Sequence, residues 1–112
     1  MNNLRRKSLY SIIKAVSQWL QNYKDGSLQH TDINIEQIID LIQCILDEEE
    51  MYKDNVPENL QGSYRYEISE SACENLDSAI SLLEDIDVLE DEFDDVVETI
   101  EETLTYLNEA TQ

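Results

Sequence analysis

Carboxylates are the most abundant groups in this sequence that could do chemistry. The 112 residues hold 26 Asp and Glu against seven Lys and Arg, a net charge of −19, and the densest run has seven acids between Asp85 and Asp95. A calcium loop needs oxygen ligands arranged around a glycine that makes a sharp turn, and this run has no glycine. A di-iron bundle needs a Glu-x-x-His pair on facing helices. We therefore expect no metal site and no cofactor.

Catalysis by a nucleophile also lacks its partners. A serine or cysteine nucleophile needs a nearby base, and His30 is the only histidine. Cys44 and Cys73 have no CxxC or zinc spacing, so we read them as free thiols of a reducing compartment and Cys44 as a small core residue. Two isolated glycines cannot form a phosphate-binding loop. We expect a protein that binds another macromolecule and is not an enzyme.

The distribution of charge indicates the kind of partner. From residue 63 to residue 112 there is one cation, Arg65, against sixteen acids, whereas Arg5, Arg6 and Lys7 lie together near the amino end. Such a charge disfavours direct binding to nucleic acid or to an anionic membrane and favours a basic protein surface. The alternative is that acidity serves only solubility. The candidate partner-binding residues are Glu84, Asp85, Asp87, Glu90, Asp91, Glu92, Asp94, Asp95, Glu98, Glu101 and Glu102.

The composition predicts one all-α domain over residues 1–112, because two glycines and one proline are too few for the turns of a sheet. Apolar residues at helical spacing predict a first helix over residues 4–23, ended by Gly26. A second helix is predicted over 34–54, where Asn34 and Gln37 have capping-box spacing. Its middle is apolar around most of its circumference, which favours a central position or contact with a second subunit. It becomes acidic at Asp47–Glu50.

Residues 63–110 contain no glycine or proline and carry a heptad pattern that predicts a long helix packed on the first two. The weak point is the acidic run, where a kink or break near residues 87–91 would give a four-helix bundle instead. Trp19 and Phe93 are expected in the core. The heptad positions are Ala72, Leu76, Ala79, Leu83, Ile86, Glu90, Phe93, Val97, Ile100, Leu104 and Leu107.

Residues 55–62 are predicted to form a corner between helices. Asn55 is expected to end the second helix in the left-handed conformation, Leu60 to pack beneath the corner and Ser63 to cap the next helix, with Glu67 in its first turn. Pro57 prevents the helix from continuing. Exposed Tyr64, Arg65 and Tyr66 would be a second, weaker candidate site for a partner.

The corner sequence from Asn55 to Glu67, NVPENLQGSYRYE, resembles a signature of small acidic helical proteins from Gram-positive bacteria and their phages, N-x-P-E-N/S-L-Q-x-S-x-R-x-E. The likeness covers about Asp47 to Leu83, and residues 24–34 look like an insertion. It implies a phage or mobile-element context and no catalytic residue. Small acidic phage proteins of this kind include anti-CRISPR proteins.

Two functions follow as hypotheses. The first is an inhibitor that mimics nucleic acid and blocks the basic groove of a nuclease or effector complex, driven by electrostatic steering. The second is a helical adaptor or homodimerisation module that binds through its apolar heptad positions. No signal peptide or apolar run of about 20 residues is visible, so we expect the cytoplasm of a bacterial host cell for either.

Overall fold

The computed structural model describes residues 1–26, 34–88 and 90–112, and within these ranges it is all-α, as predicted. Four helices form: α1 (Asn3–Lys24), α2 (Ile35–Asp54), α3 (Tyr64–Asp85) and α4 (Phe93–Ala110), with a short 3-10 turn at Glu58–Leu60 between α2 and α3. The molecule measures 52 × 22 × 19 Å. The first two helices lie within a residue of their predicted bounds.

The helices pack as an antiparallel bundle in which α1 lies against α2 and α4, and α3 lies against the same two helices. At one end, Arg5 near the start of α1 contacts Glu49 near the end of α2, and Arg6 donates from Nε to the Thr111 carbonyl just after α4. At the other end, Tyr23 stacks on Phe93 at the start of α4, with ring centroids 5.0 Å apart. Neighbouring helices therefore run in opposite directions.

The core is a single apolar cluster to which every helix contributes. Trp19 is buried as predicted, and α1 also buries its stripe of Leu9, Ile12, Val16 and Leu20. The heptad positions of α3 are buried along its length. The apolar stripes of α1 and α3 are thus buried within one chain, whereas Leu41 on the apolar middle of α2 remains 48% exposed.

The predicted helix ends are confirmed at three positions. The side chain of Asn34 accepts a hydrogen bond from the Gln37 backbone N–H (2.9 Å), and Ser63 Oγ accepts one from the Tyr66 N–H (3.3 Å). Gly26 follows α1 with a φ of 73°, a conformation that costs glycine little because it has no Cβ.

The sequence from 63 to 110 is two helices rather than one. The chain leaves α3 at Ile86, which is extended, and Glu92 is extended again before α4 begins. Between them the Asp91 carboxylate accepts from the Asp87 N–H (2.8 Å), and the Asp87 carboxylate accepts from the Glu90 N–H (3.2 Å). Short acidic side chains that capture backbone N–H groups compete with helix formation. Of the two alternatives, the structure has the broken form.

The heptad prediction holds for part of α4. Of its predicted positions, Ile100 and Leu107 are buried, and Val97 and Leu104 pack partly buried against the core. The other buried positions of α4 are Val96, Thr103 and Ala110. Phe93 is 47% exposed, so its predicted place in the core is wrong. It keeps its stacking contact with Tyr23 at the edge of the cluster.

Two further side-chain expectations are wrong. Cys44 is exposed because it lies on the outer side of α2, opposite the buried Ile42, Ile45 and Leu46. Leu60 is 50% exposed and does not fill the corner.

Asn55 ends α2 with a right-handed φ of −87°, and its N–H bonds back to the Met51 and Lys53 carbonyls. The helix end is thus closed without a left-handed residue, because Pro57 already prevents continuation.

Candidate interaction surface

All eleven acids predicted as the binding face are exposed, but they do not form one face. Eight of them surround the break between α3 and α4, at one end of the bundle, and we call these eight the acidic corner. They are Glu84, Asp85, Asp87, Glu90, Asp91, Glu92, Asp94 and Asp95. The other three, Glu98, Glu101 and Glu102, continue along α4.

The α4 carboxylates lie beside the helix that carries most of the cations. Lys24 Nζ of α1 is 3.4 Å from Glu101 Oε1, so this stripe faces α1. Glu98 and Glu102 lie with Glu101 on the same shallow surface of α4. Five of the seven cations of the chain belong to α1, and they are Arg5, Arg6, Lys7, Lys14 and Lys24. Positive charge on α1 therefore offsets part of the negative field of α4.

A second acidic surface lies on the opposite side of the bundle, between α2 and α3. Glu50 of α2 and Glu70, Glu74 and Asp77 of α3 line one groove, with Lys53 as its cation. In both helices further exposed acids repeat at three- and four-residue spacing, which places them on the same strip of helix surface. We call the set the acidic double row: Glu36, Asp40, Asp47, Glu50 and Asp54 on α2, and Glu70, Glu74, Asp77 and Glu84 on α3.

The double row is long, straight and unpaired. From Glu36 to Asp54 it spans about 27 Å at 1.5 Å per residue, and antiparallel helices hold its two lines about 8–10 Å apart. Within the part of the chain that the structure describes, none of its nine carboxylates has a cation within ion-pair distance. Glu84 joins the row to the acidic corner, so the two surfaces are continuous.

The double row was missed in the sequence, although its signal is present there. The i, i+3, i+4 repetition of acids in α2 and α3 is readable, but the prediction followed the denser run from Asp85 to Asp95 and the acids after it. Two acids of that run, Asp87 and Asp91, accept backbone hydrogen bonds at the helix break. The asymmetry between the α2–α3 face and the α1–α4 face depends on which helices are neighbours, and only the fold decides this.

One acid is buried and has a structural role. Glu49 lies in the acidic run near the end of α2 and is fully buried. Its carboxylate accepts from Arg5 Nε (2.7 Å) and from Ser69 Oγ (2.8 Å), and the Met1 amino group lies 3.4 Å away. Because a buried charge is tolerated only when it is paired and hydrogen-bonded, these contacts tie α1, α2 and α3 together at this end.

The three residues predicted as a weaker site lie at the start of α3 beside the corner. Tyr64 is exposed, Tyr66 is half-buried, and Arg65 lies between them on the surface. Tyr66 lines both the acidic groove and an open cavity at the corner. Aromatic side chains are thus placed at one end of the double row and the acidic corner at the other.

The described residues contain neither a metal site nor a membrane-spanning helix. Among residues 1–26, 34–88 and 90–112, no three His, Cys, Asp or Glu side chains are arranged to hold a metal ion. No helix in the same ranges is both long and apolar enough to cross a membrane. His30 lies outside the described residues.

Comparisons with protein-family models, with curated proteins and with solved structures find no match.

Proposed function

We propose that the protein is an acidic inhibitor that binds the basic nucleic-acid-binding groove of a nuclease or effector complex, and that the double row is the face it presents. The observation that carries this proposal is the arrangement of nine carboxylates, without an ion-pair partner among the described residues, in two lines on α2 and α3, helices that hold only two cations, Lys53 and Arg65. The sharpest version is an anti-CRISPR-like protein, which the phage-like corner sequence favours.

The charge density of the double row supports this proposal. Nine charges over about 27 Å are one charge per about 3 Å. Duplex DNA has one charge per about 1.7 Å of its axis, or one per about 3.4 Å along each of its two strands. The two lines are held by a packed bundle, so little conformational entropy is lost when they bind. A basic groove that accepts nucleic acid would meet a rigid surface of comparable charge.

The unneutralised state of these acids also supports a binding role. Like charges at i, i+4 destabilise a helix by about 0.2–0.5 kcal/mol per pair, and Glu70 and Glu74 form such a pair. Solubility needs a moderate net charge spread over the surface and does not need two aligned rows. A basic partner surface would neutralise the two rows and relieve this repulsion, so a binding role explains why the acids are aligned.

The second candidate function, an adaptor acting through the heptad positions, has weaker support. Leu76, Ala79, Leu83, Ile100 and Leu107 are buried inside the bundle, so binding through them would require the fold to open. The acids, by contrast, are accessible as they stand.

The proposal is tested by capture from bacterial lysate supplemented with a purified CRISPR effector. The tagged protein is immobilised, and bound proteins are eluted by rising salt and, separately, by duplex DNA or guide RNA. We expect a nucleic-acid-binding protein that is released by nucleic acid and by moderate salt, because screening weakens exposed charge pairs. Capture only of partners that resist both eluents would reject mimicry.

A further inference from the structure

The end of the bundle where α2 meets α3 exposes an apolar and aromatic surface. Tyr52 is 42% and Tyr64 76% exposed, and Leu60 lies between them in sequence with half its side chain in solvent. An open cavity of about 680 Å³ separates these side chains. We call this the corner surface and define it by Tyr52, Val56, Pro57, Leu60, Tyr64 and Arg65.

The corner surface is close to neutral, although the molecule as a whole is strongly acidic. Residues 52–67 hold two cations and three acids, a net charge of −1, whereas residues 84–95 at the other end hold eight acids and no cation. Among the described residues, Arg65 has no hydrogen-bond or ion-pair partner, and neither Asp54, Glu58 nor Glu67 has a cation within ion-pair distance.

We propose that the corner surface docks a second copy of this chain, giving a two-fold, end-to-end dimer. A two-fold contact brings the same patch from both copies together, so the Arg65 of each copy can meet an acid of the other. The patch holds the free cation and an aromatic centre, and three acids without a cation partner among the described residues, Asp54, Glu58 and Glu67, lie beside it in the sequence, so two copies can pair cation with acid across the contact. Tyr and Arg around an apolar pocket are typical of the residues that dominate interface energies.

Electrostatics favour this geometry over a two-fold contact through the double rows. Side-by-side contact would bring the carboxylate rows of two molecules within a Debye length, about 8 Å at physiological ionic strength. End-to-end contact keeps each acidic corner about 30 Å from the interface, the length of a 20-residue helix. The dimer leaves both double rows accessible and does not depend on the function proposed for them.

The test is sedimentation equilibrium of the full chain at about 0.05 M and about 0.5 M salt. We expect a dimer whose dissociation constant falls as salt rises, because screening reduces repulsion between two molecules of charge −19. This salt response is opposite to that expected for binding to a basic partner, so the two proposals fail separately.

Variants locate the interface. Tyr64→Ala and Leu60→Ser should each raise the dissociation constant about thirty-fold, and Arg65→Glu about ten-fold. Tyr10→Ala is the control, since Tyr10 is a half-exposed tyrosine on α1 away from the corner, and it should leave dimerisation unchanged. All four side chains are exposed, so circular dichroism should show unchanged helicity. A monomer up to about 1 mM at both salt concentrations, or a dimer insensitive to all three corner variants, would overturn the proposal.

Discussion

Arg5 donates from Nε to Oε2 of Glu49 over 2.7 Å, and the Glu49 side chain is fully buried while that of Arg5 is 12% exposed. The guanidinium also lies over the Tyr52 ring, 5.7 Å from its centroid. Among the 26 acids of the chain, Glu49 is thus one that is buried and paired with a cation. Removing its partner should therefore be costly.

The variant Arg5→Ala should lower the free energy of unfolding by about 3 kcal/mol, since it leaves a buried carboxylate without its strongest partner. Urea denaturation measures this. Lys24→Ala is the matched control because it breaks the exposed pair with Glu101, and it should cost at most about 0.5 kcal/mol. Equal losses for the two variants would show that the burial of Glu49 does not matter.

The buried core positions of α4 give a second prediction. Ile100→Ala should cost about 3 kcal/mol, because Ile100 is fully buried and its truncation leaves a cavity. Leu41→Ala on α2 removes a similar side chain that is 48% exposed and should cost less than about 1 kcal/mol. Thermal and urea unfolding of both variants would measure these losses. A larger loss of unfolding free energy for Leu41→Ala than for Ile100→Ala would contradict the observed packing.

Cys73 predicts a pH dependence. Burial, with the nearby carboxylates of Glu49, Glu50 and Asp54, raises the pKa of the Cys73 thiol from 9.0 to about 11, and Lys53 opposes part of this effect. Between these values the unfolded chain releases a proton that the folded chain keeps, so stability should fall as pH rises from about 9 to about 11.

Other groups titrate in the same range, so the measurement is the difference between wild type and Cys73→Ala. The free energy of unfolding of the wild type should fall more steeply with pH than that of the variant. Parallel curves would show that the thiol titrates alike in the folded and unfolded chain.

Neutralising part of the double row should stabilise the protein. The triple variant Glu70→Gln, Glu74→Gln, Asp77→Asn removes three like-charge pairs on α3, the first of them with Glu67, and should add about 0.6–1.5 kcal/mol at low salt. The gain should shrink in about 0.5 M salt, where such repulsion is screened. A loss of stability at low salt would mean that these carboxylates make favourable contacts within the bundle.

The sequence predicted α1, α2 and the start of α3 well because these depend on local signals. The spacing of Leu9, Val16 and Leu20 and the caps at Asn34 and Ser63 act over a few residues. The burial of Glu49 was not predictable in this way, because its partners Arg5 and Ser69 are 44 and 20 residues away. For the same reason the sequence could not show that Lys24 lies beside Glu101, because this depends on the packing of α1 against α4.

The central claim is that the double row, and not acidity in general, binds a nucleic-acid-binding protein. It is tested most directly by comparing two variants of equal charge against the captured partner. One is the triple variant Glu70→Gln, Glu74→Gln, Asp77→Asn, and the other carries three Glu→Gln changes on exposed positions of α4. The α4 positions are Glu98, Glu102 and Glu109.

The measurement is displacement of labelled nucleic acid from that partner at several salt concentrations. We predict that wild type and the α4 variant displace it alike, with potency falling at least about ten-fold between 0.1 and 0.5 M salt, and that the double-row variant is at least about ten-fold weaker. Equal potency of the two variants, or displacement that does not respond to salt, would contradict the account.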